Sequence, residues 1–267
     1  MKAFEQEVRE RIDANARNTS LQADAVTFMK ATLSPQYSYN FSWLGRPIIQ
    51  YPQDIVALQE LIWRIKPDLI IETGIAHGGS LILSASLLAM LDYCEAAVAG
   101  HTLNPHDTRR RVLGIDIDIR QHNRIAIEEH PLAHHIDMIE GSSIEPDVVT
   151  QVHGIARDHD RVLVILDSNH THEHVLAELE AYAPLTSKES YCVVFDTVIE
   201  DMPENMFPDR PWGKGNNPKT AVREYLRRLD KEGRKAFDGD PLAFRADRII
   251  EGKLLITVAP DGYLMRV

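Results

Sequence analysis

Two aspartates and a histidine carry the most chemistry in this chain: Asp167 and His170 in Leu166-Asp167-Ser168-Asn169-His170, and Asp196 in Val193-Val194-Phe195-Asp196. Each aspartate closes a run of Val, Ile and Leu, and such runs read as buried strands, so both carboxylates stand at strand tips. Carboxylates converging beside a pocket repel one another unless a cation lies between them. A hard divalent ion such as Mg²⁺, with water filling its other positions, suits that pair, whereas either aspartate alone reads equally as a helix cap. His170 could take a proton from a hydroxyl, the general-base role that an imidazole fills. The run His170-x-His172-Glu173-His174 is one residue short of the H-x-H-x-D-H pattern of binuclear hydrolases. A helix beginning near His172 would splay His172 from His174 and leave both as first-turn surface residues.

A second cluster precedes these. Glu72-Thr73-Gly74-Ile75-Ala76-His77-Gly78-Gly79-Ser80 is a glycine-rich turn after the apolar run Leu69-Ile70-Ile71. Glycines there let backbone approach a ligand closely and accept positive φ. The spacing differs from the dinucleotide fingerprint, and Glu72 would repel a pyrophosphate. It suits instead the cationic methionyl end of S-adenosylmethionine, with Glu72, Thr73, Gly74, Gly78 and Ser80 as the contacts; the same turn also reads as an ordinary strand-to-helix connection. The next strand, Val112 to Asp118, ends in acids placed to accept hydrogen bonds from ribose hydroxyls. Asp116 and Asp118 point the same way; Asp116 is assigned the ribose and Asp118 a helix cap. Ser142 and Ser143, after the third strand, are candidates to bracket an adenine.

These residues need a frame in which strand tips converge. Apolar runs and helical patterns alternate: strands DLIIETG, RVLGIDID, IDMIEGSS, RVLVILDSNH and ESYCVVFDT, with amphipathic segments between them. That alternation predicts right-handed βαβ units in a doubly wound, mostly parallel α/β sheet, with ligands beyond the carboxyl ends of the strands. The tail KLLITVAPDGYLMRV predicts two antiparallel strands joined by Pro260-Asp261-Gly262. The whole is the plan of a class I methyltransferase (Rossmann-like) fold over residues 51–267. Residues 1–50 form an N-terminal helical and aromatic extension, in which Tyr39, Phe41 and Trp43 offer a pocket wall. Asp54 is placed to cap the helix after Pro52, and Asn217 with Pro218 to start another. Trp212, in the turn-rich loop between, is either a lid over substrate or a plug for a local core.

Bulk composition sets limits. Twenty-nine Lys and Arg against 40 Asp and Glu give a charge of −11, which argues against a nucleic-acid-coating surface. Cys94 and Cys192 lie in apolar stretches and read as reduced, buried thiols, consistent with the cytoplasm. The charged N-terminus lacks the apolar core of a secretory signal. The run SLILSASLLAMLDYCEAAVA reads as a helix on a sheet, with no membrane span. A protruding N-terminal helix suits contacts in a homo-oligomer.

With these residues in place, the chain resembles the cephalosporin hydroxylase family, also called the rhamnosyl O-methyltransferase family. The resemblance rests on YNFSWLGRPIIQYPQD, ETGIAHGGS, GIDIDIR, LDSNHTHEHVLAEL, VVFDT and RPWGKGNNPKTAV, and runs from about Tyr39 to the C-terminus. It implies S-adenosylmethionine as methyl donor and Mg²⁺ held by Asp167 and Asp196. In related sugar O-methyltransferases the metal chelates vicinal hydroxyls, and a histidine three residues after the first metal aspartate removes the proton, the place of His170. More distant catechol-type enzymes put a lysine there. Some relatives have Glu-Asp where this chain has Phe195-Asp196, so a carboxylate ligand is missing and Thr197 or water would complete the shell. The expected reaction is Mg²⁺-dependent methyl transfer to a hydroxyl of a sugar or other diol-bearing small molecule. Lipopolysaccharide or other glycan sugars, and sugars on secondary metabolites, stay open as acceptors. A hydroxylase is the second reading, without a two-His-one-carboxylate triad or a haem or flavin signature to support it. A non-catalytic S-adenosylmethionine-binding subunit is the third, resting on Phe195.

Overall fold

The computed structural model describes residues 2–267. In chain order the elements are α1 (Lys2–Arg17), α2 (Thr19–Leu33), β1 (Phe41–Trp43), β2 (Arg46–Ile48), α3 (Pro52–Ile65), β3 (Leu69–Thr73), α4 (Gly79–Ala99), β4 (Arg111–Asp116), α5 (Gln121–Glu128), β5 (Ile136–Glu140), α6 (Pro146–Ala156), β6 (Val162–Leu166), α7 (His172–Tyr182), β7 (Tyr191–Val194), α8 (Pro218–Glu232), β8 (Phe244–Ala246), α9 (Arg248–Leu254) and β9 (Tyr263–Arg266).

The strands β3 to β7 occupy the five predicted apolar runs. They pair in the order β5-β4-β3-β6-β7-β9-β8, parallel except for β9, which runs antiparallel to both β7 and β8. Every residue of β3 and of β6 is buried, because both faces are covered. Alternation divides their side chains between two cores. Ile70, Leu163 and Ile165 pack with α3 and α4; Leu69, Ile71, Val162 and Val164 pack with α6, α7 and α8. Strand order reverses between the parallel neighbours β3 and β6, which is the switch point where an open α/β sheet leaves a crevice. The crossing is tight. Gly74, at φ 90°, lies so close to the next strand that an added Cβ would stand 2.1 Å from the Asp167 carbonyl oxygen. No side chain fits there without moving Asp167.

Helix α4 is long and apolar enough to cross a membrane by length and composition. In the fold its N-terminal half packs on the sheet, with Leu81, Ile82, Leu83, Ala85 and Leu88 fully buried. Helix α8 begins as its sequence predicts: Asn217 accepts from the Thr220 amide, Thr220 reciprocates, and Pro218 opens the first turn.

Four local expectations are corrected. The C-terminal antiparallel pair is β8 with β9, whereas the run Leu254 to Ala259 is the end of α9 and an irregular loop. Leu255 turns to φ 60° and takes the chain off the strand path. Asp54 does not cap α3, whose N-cap position is Tyr51. It is fully buried and accepts hydrogen bonds from the Thr257 hydroxyl, the Val258 amide and the Tyr263 hydroxyl, at 2.5, 3.0 and 2.7 Å. Burial raises its pKa to about 6 against the pull of those three donors. Asp118 caps nothing; α5 starts after Arg120 with no side-chain cap, and Asp118 stays exposed beside Arg120. Finally, α1 does not protrude. Ile12 and Ala16 pack against Gly252 of α9 so closely that a Cβ there would meet them at 3.1 to 3.2 Å.

Candidate active site

The tips of β6 and β7 lie side by side, because the two strands pair in parallel register up to Leu166 and Val194. Asp167, His170 and Asp196 therefore meet, each offering a ligand atom within 4.8 Å of the others. His170 Nε2 stands 3.0 Å from Asp196 Oδ2. Asp196 itself sits at φ 55°, which turns its carboxylate out of the strand path. The backbone of Asp167 is held by Thr73, whose carbonyl and hydroxyl both accept from the Asp167 amide at 3.0 and 3.3 Å.

Asp167 is electrostatically isolated. Burial first, then the negative charges of Asp196, Glu72, Glu178 and Asp54, hold its carboxyl well above the usual carboxylate range. Its one side-chain hydrogen bond comes from Gln50 Nε2 at 3.2 Å. Among the described residues, no Lys or Arg pairs with Asp167 or Asp196. A half-buried carboxylate surrounded by like charge, with two further donors in reach, is a donor set that a divalent cation fits. Phe195 takes no part in it, being buried at 2% exposure against the Tyr263 ring. Thr197 is fully buried, and its hydroxyl donates to the Pro260 carbonyl at 2.6 Å.

The three groups line a cavity of about 940 Å³. Gly74, Ile75, Ala76, His77 and Ser80 of the glycine turn line it, as do Ile48, Ile49, Gln50 and Tyr51. Tyr39, Met206, Phe207, Arg210 and Trp212 add to the lining. Trp212 resolves as a wall: its ring meets His170 edge-on at 4.8 Å, with the Arg210 guanidinium 5.2 Å over its face. That contact restricts rotation of the imidazole.

The glycine turn lies at the same end of the sheet. Glu72 is 2% exposed beneath α4, and one of its oxygens, Oε2, has no partner. Burial pushes its pKa up to about 7, with the Ser80 hydroxyl pulling it back. An unpartnered buried carboxylate oxygen fits a cationic ligand group. Asp116 joins the turn to β4, with Oδ2 accepting from the amides of Ile75 and Ala76 at 2.8 and 3.3 Å. Among the predicted contacts, Gly74 and Ser80 line the cavity, whereas Glu72, Thr73, Gly78, Asp116, Ser142 and Ser143 do not. Thr73 is engaged with Asp167, and Ser143 is buried with its hydroxyl donating to Glu178 at 2.6 Å. Ser142 is half-buried beside it, and Gly78 is pressed against Ile127. His172 and His174 do begin α7, but neither is a free surface residue. His172 bonds to Thr220 and its amide to Asn216, while His174 lies 3.0 Å from the Ser143 hydroxyl and 3.5 Å from Glu178. Gln50 and Arg46, both at the site, lie in the motif YNFSWLGRPIIQYPQD, but that motif assigned neither of them a role.

Glu72 has a consequence for stability. In the unfolded chain it titrates near 4.5; in the fold, near 7. Its contribution is therefore complete below pH 4.5 and is lost as pH rises through 7, by up to about 3 kcal/mol. Glu72→Gln is expected to stabilise the ligand-free protein at pH 8 and to change it little at pH 4.5. Urea unfolding at both values checks this; equal stabilisation at both would contradict it.

Comparison with known proteins places this geometry. The family model Rhamnosyl O-methyltransferase/CmcI matches residues 35–267. A rhamnosyl O-methyltransferase of Mycobacterium tuberculosis is 28% identical over 214 residues, covering 80% of this chain and 73% of the relative. That of Mycobacterium leprae is 28% identical over 226 residues, 84% and 82% of the two chains. A solved Mg-SAM structure of CmcI superposes with TM-score 0.53 at 16% identity, over 86% of this chain and 77% of that one, a likeness of fold.

Proposed function

Because the chain belongs to the Rhamnosyl O-methyltransferase/CmcI family, we propose that it transfers a methyl group from S-adenosylmethionine to a sugar hydroxyl, with Mg²⁺ at Asp167 and Asp196. The observation that carries this is the meeting of Asp167, His170 and Asp196 at the wall of a cavity that also borders the glycine turn. S-adenosylmethionine supplies an electrophilic methyl, and Mg²⁺ when bound supplies Lewis-acid activation of the acceptor hydroxyl. The chain's own residues do the rest. Glu72 receives the cationic methionyl end, the Asp116 carboxylate the ribose. Asp167 and Asp196 hold the cation, and Gln50 steadies Asp167. His170 Nε2 takes the hydroxyl proton, and the Asp196 oxygen 3.0 Å away stabilises the imidazolium that results. Holding two reactants in one cavity supplies much of the rate.

The acceptor in this reading is a rhamnosyl or similar diol-bearing sugar, met at the end where Asp167 and His170 stand. A cytoplasmic location accompanies it. Methyl transfer from labelled S-adenosylmethionine to a panel of rhamnosides and other glycosides tests the reading. Transfer that EDTA abolishes and Mg²⁺ restores is expected; transfer indifferent to EDTA would refute the metal role, and hydroxylated product would favour the hydroxylase reading.

A further inference from the structure

The turn from β3 to α4 is held from outside as well as by its own strand. Three of its five residues, Gly74, Ala76 and Gly78, lie in the left-handed region at φ 90°, 47° and 82°. Alanine gains nothing from that region, so other contacts must keep this shape. Asp116 grips the amides of Ile75 and Ala76. The carbonyls that follow are gripped by two different elements. Asn123, from α5 and 3% exposed, donates through Nδ2 to the Ala76 oxygen at 2.9 Å. Arg46, from β2, donates through Nε and Nη2 to the His77 oxygen at 3.0 and 2.6 Å, and through Nη2 to Asn123 Oδ1 at 2.9 Å. A charged guanidinium spent on one loop carbonyl and a buried amide makes strong bonds with fixed geometry. Beside it the Pro47 carbonyl presses on the first residue of α4, 2.2 Å from where a Cβ on Gly79 would stand.

We propose that Arg46 and Asn123 are positioning residues of the methyl-donor site. They hold the Ala76-His77 backbone in the shape that receives the methionyl end of S-adenosylmethionine, and so make the β1–β2 hairpin a working part of that site. The inference rests on the S-adenosylmethionine reading of the turn.

The hairpin is also anchored elsewhere, by Trp43 Nε1 donating to the Ser86 hydroxyl at 3.0 Å. Trp43→Phe therefore loosens the hairpin without touching a loop carbonyl, and it separates positioning from general docking. In the full chain, Arg46→Met and Asn123→Ala are expected to raise the S-adenosylmethionine dissociation constant about tenfold each, with kcat at saturating cofactor kept within threefold. The double variant should lose little more than either single one, because the two side chains share one grip. Amide exchange at Gly78, whose N–H donates to the Ile75 carbonyl, should quicken by a similar factor in both variants, even without ligand. Trp43→Phe should leave affinity and exchange within twofold. Wild-type affinity in Arg46→Met, or an equal loss in Trp43→Phe, would overturn the proposal. If the intact protein bound no S-adenosylmethionine, the cofactor reading would fall, and exchange across residues 75–78 would still decide whether the pair holds the loop.

Discussion

His170→Ala should abolish most methyl transfer, by about two to four orders of magnitude, while S-adenosylmethionine binds as before. The imidazole is placed for proton transfer and little else. It sits between Asp196 and the edge of Trp212, at the cavity wall, and it has no hydrogen bond to Glu72 or the glycine turn among the described residues. Its loss removes the proton acceptor without disturbing the cofactor's expected contacts. Single-turnover transfer and cofactor calorimetry on the same preparation read the two effects separately. A weakened cofactor dissociation constant in a folded His170→Ala protein would contradict the assignment. Trp212→Ala is expected to act in the same direction but less, because it removes a restraint on the ring and leaves the ring itself.

Asp167→Asn should separate function from stability. The variant loses the central anion of the cluster, and its Mg²⁺ affinity should fall on the order of a hundredfold or more. The metal-free protein should nonetheless become more stable. In the wild type, burial and four neighbouring carboxylates oppose ionisation of Asp167, with only the Gln50 amide donating to its side chain. Replacing a charge held against such resistance by a neutral amide of the same shape relieves about 1–3 kcal/mol. Thermal melts in EDTA and metal titration by calorimetry measure the two halves. A metal-free Asp167→Asn protein that melts below the wild type would mean that the carboxylate is already satisfied within the fold, and the case for a cation would lose its physical basis.

The parts of this molecule that sequence made legible are those governed by local pattern. Continuous Val, Ile and Leu runs identify β3 to β7 because a strand covered on both faces has no polar side to show. Asp167 and Asp196 follow from the same logic, as first residues past two such runs. Local pattern misleads where a distant contact decides. Asp54 has the position of a cap, yet its three partners lie more than 200 residues away, two in the C-terminal loop and Tyr263 in β9. Leu254 to Ala259 has the composition of a strand, but that loop is pinned by Asp54 and turned aside at Leu255. Thr73 adjoins Glu72 among the expected cofactor contacts, yet its hydroxyl accepts from the Asp167 amide. Alternation along a strand puts those two side chains on opposite faces, a signal that was present in the sequence and would have excluded it. Arg46 and Gln50 reach the site because the β1–β2 hairpin packs on the turn, a long-range contact that the motif around them does not spell out.

The central claim is that the methyl donor and the metal occupy one cavity, with the sulfonium methyl beside Asp167. Mn²⁺ in place of Mg²⁺ makes that measurable through paramagnetic broadening of the ¹³C-methyl resonance of bound, labelled S-adenosylmethionine. The account predicts strong broadening in the wild type and its loss in Asp167→Asn at unchanged cofactor occupancy. A methyl resonance that stays sharp while both cofactor and Mn²⁺ are bound would contradict it.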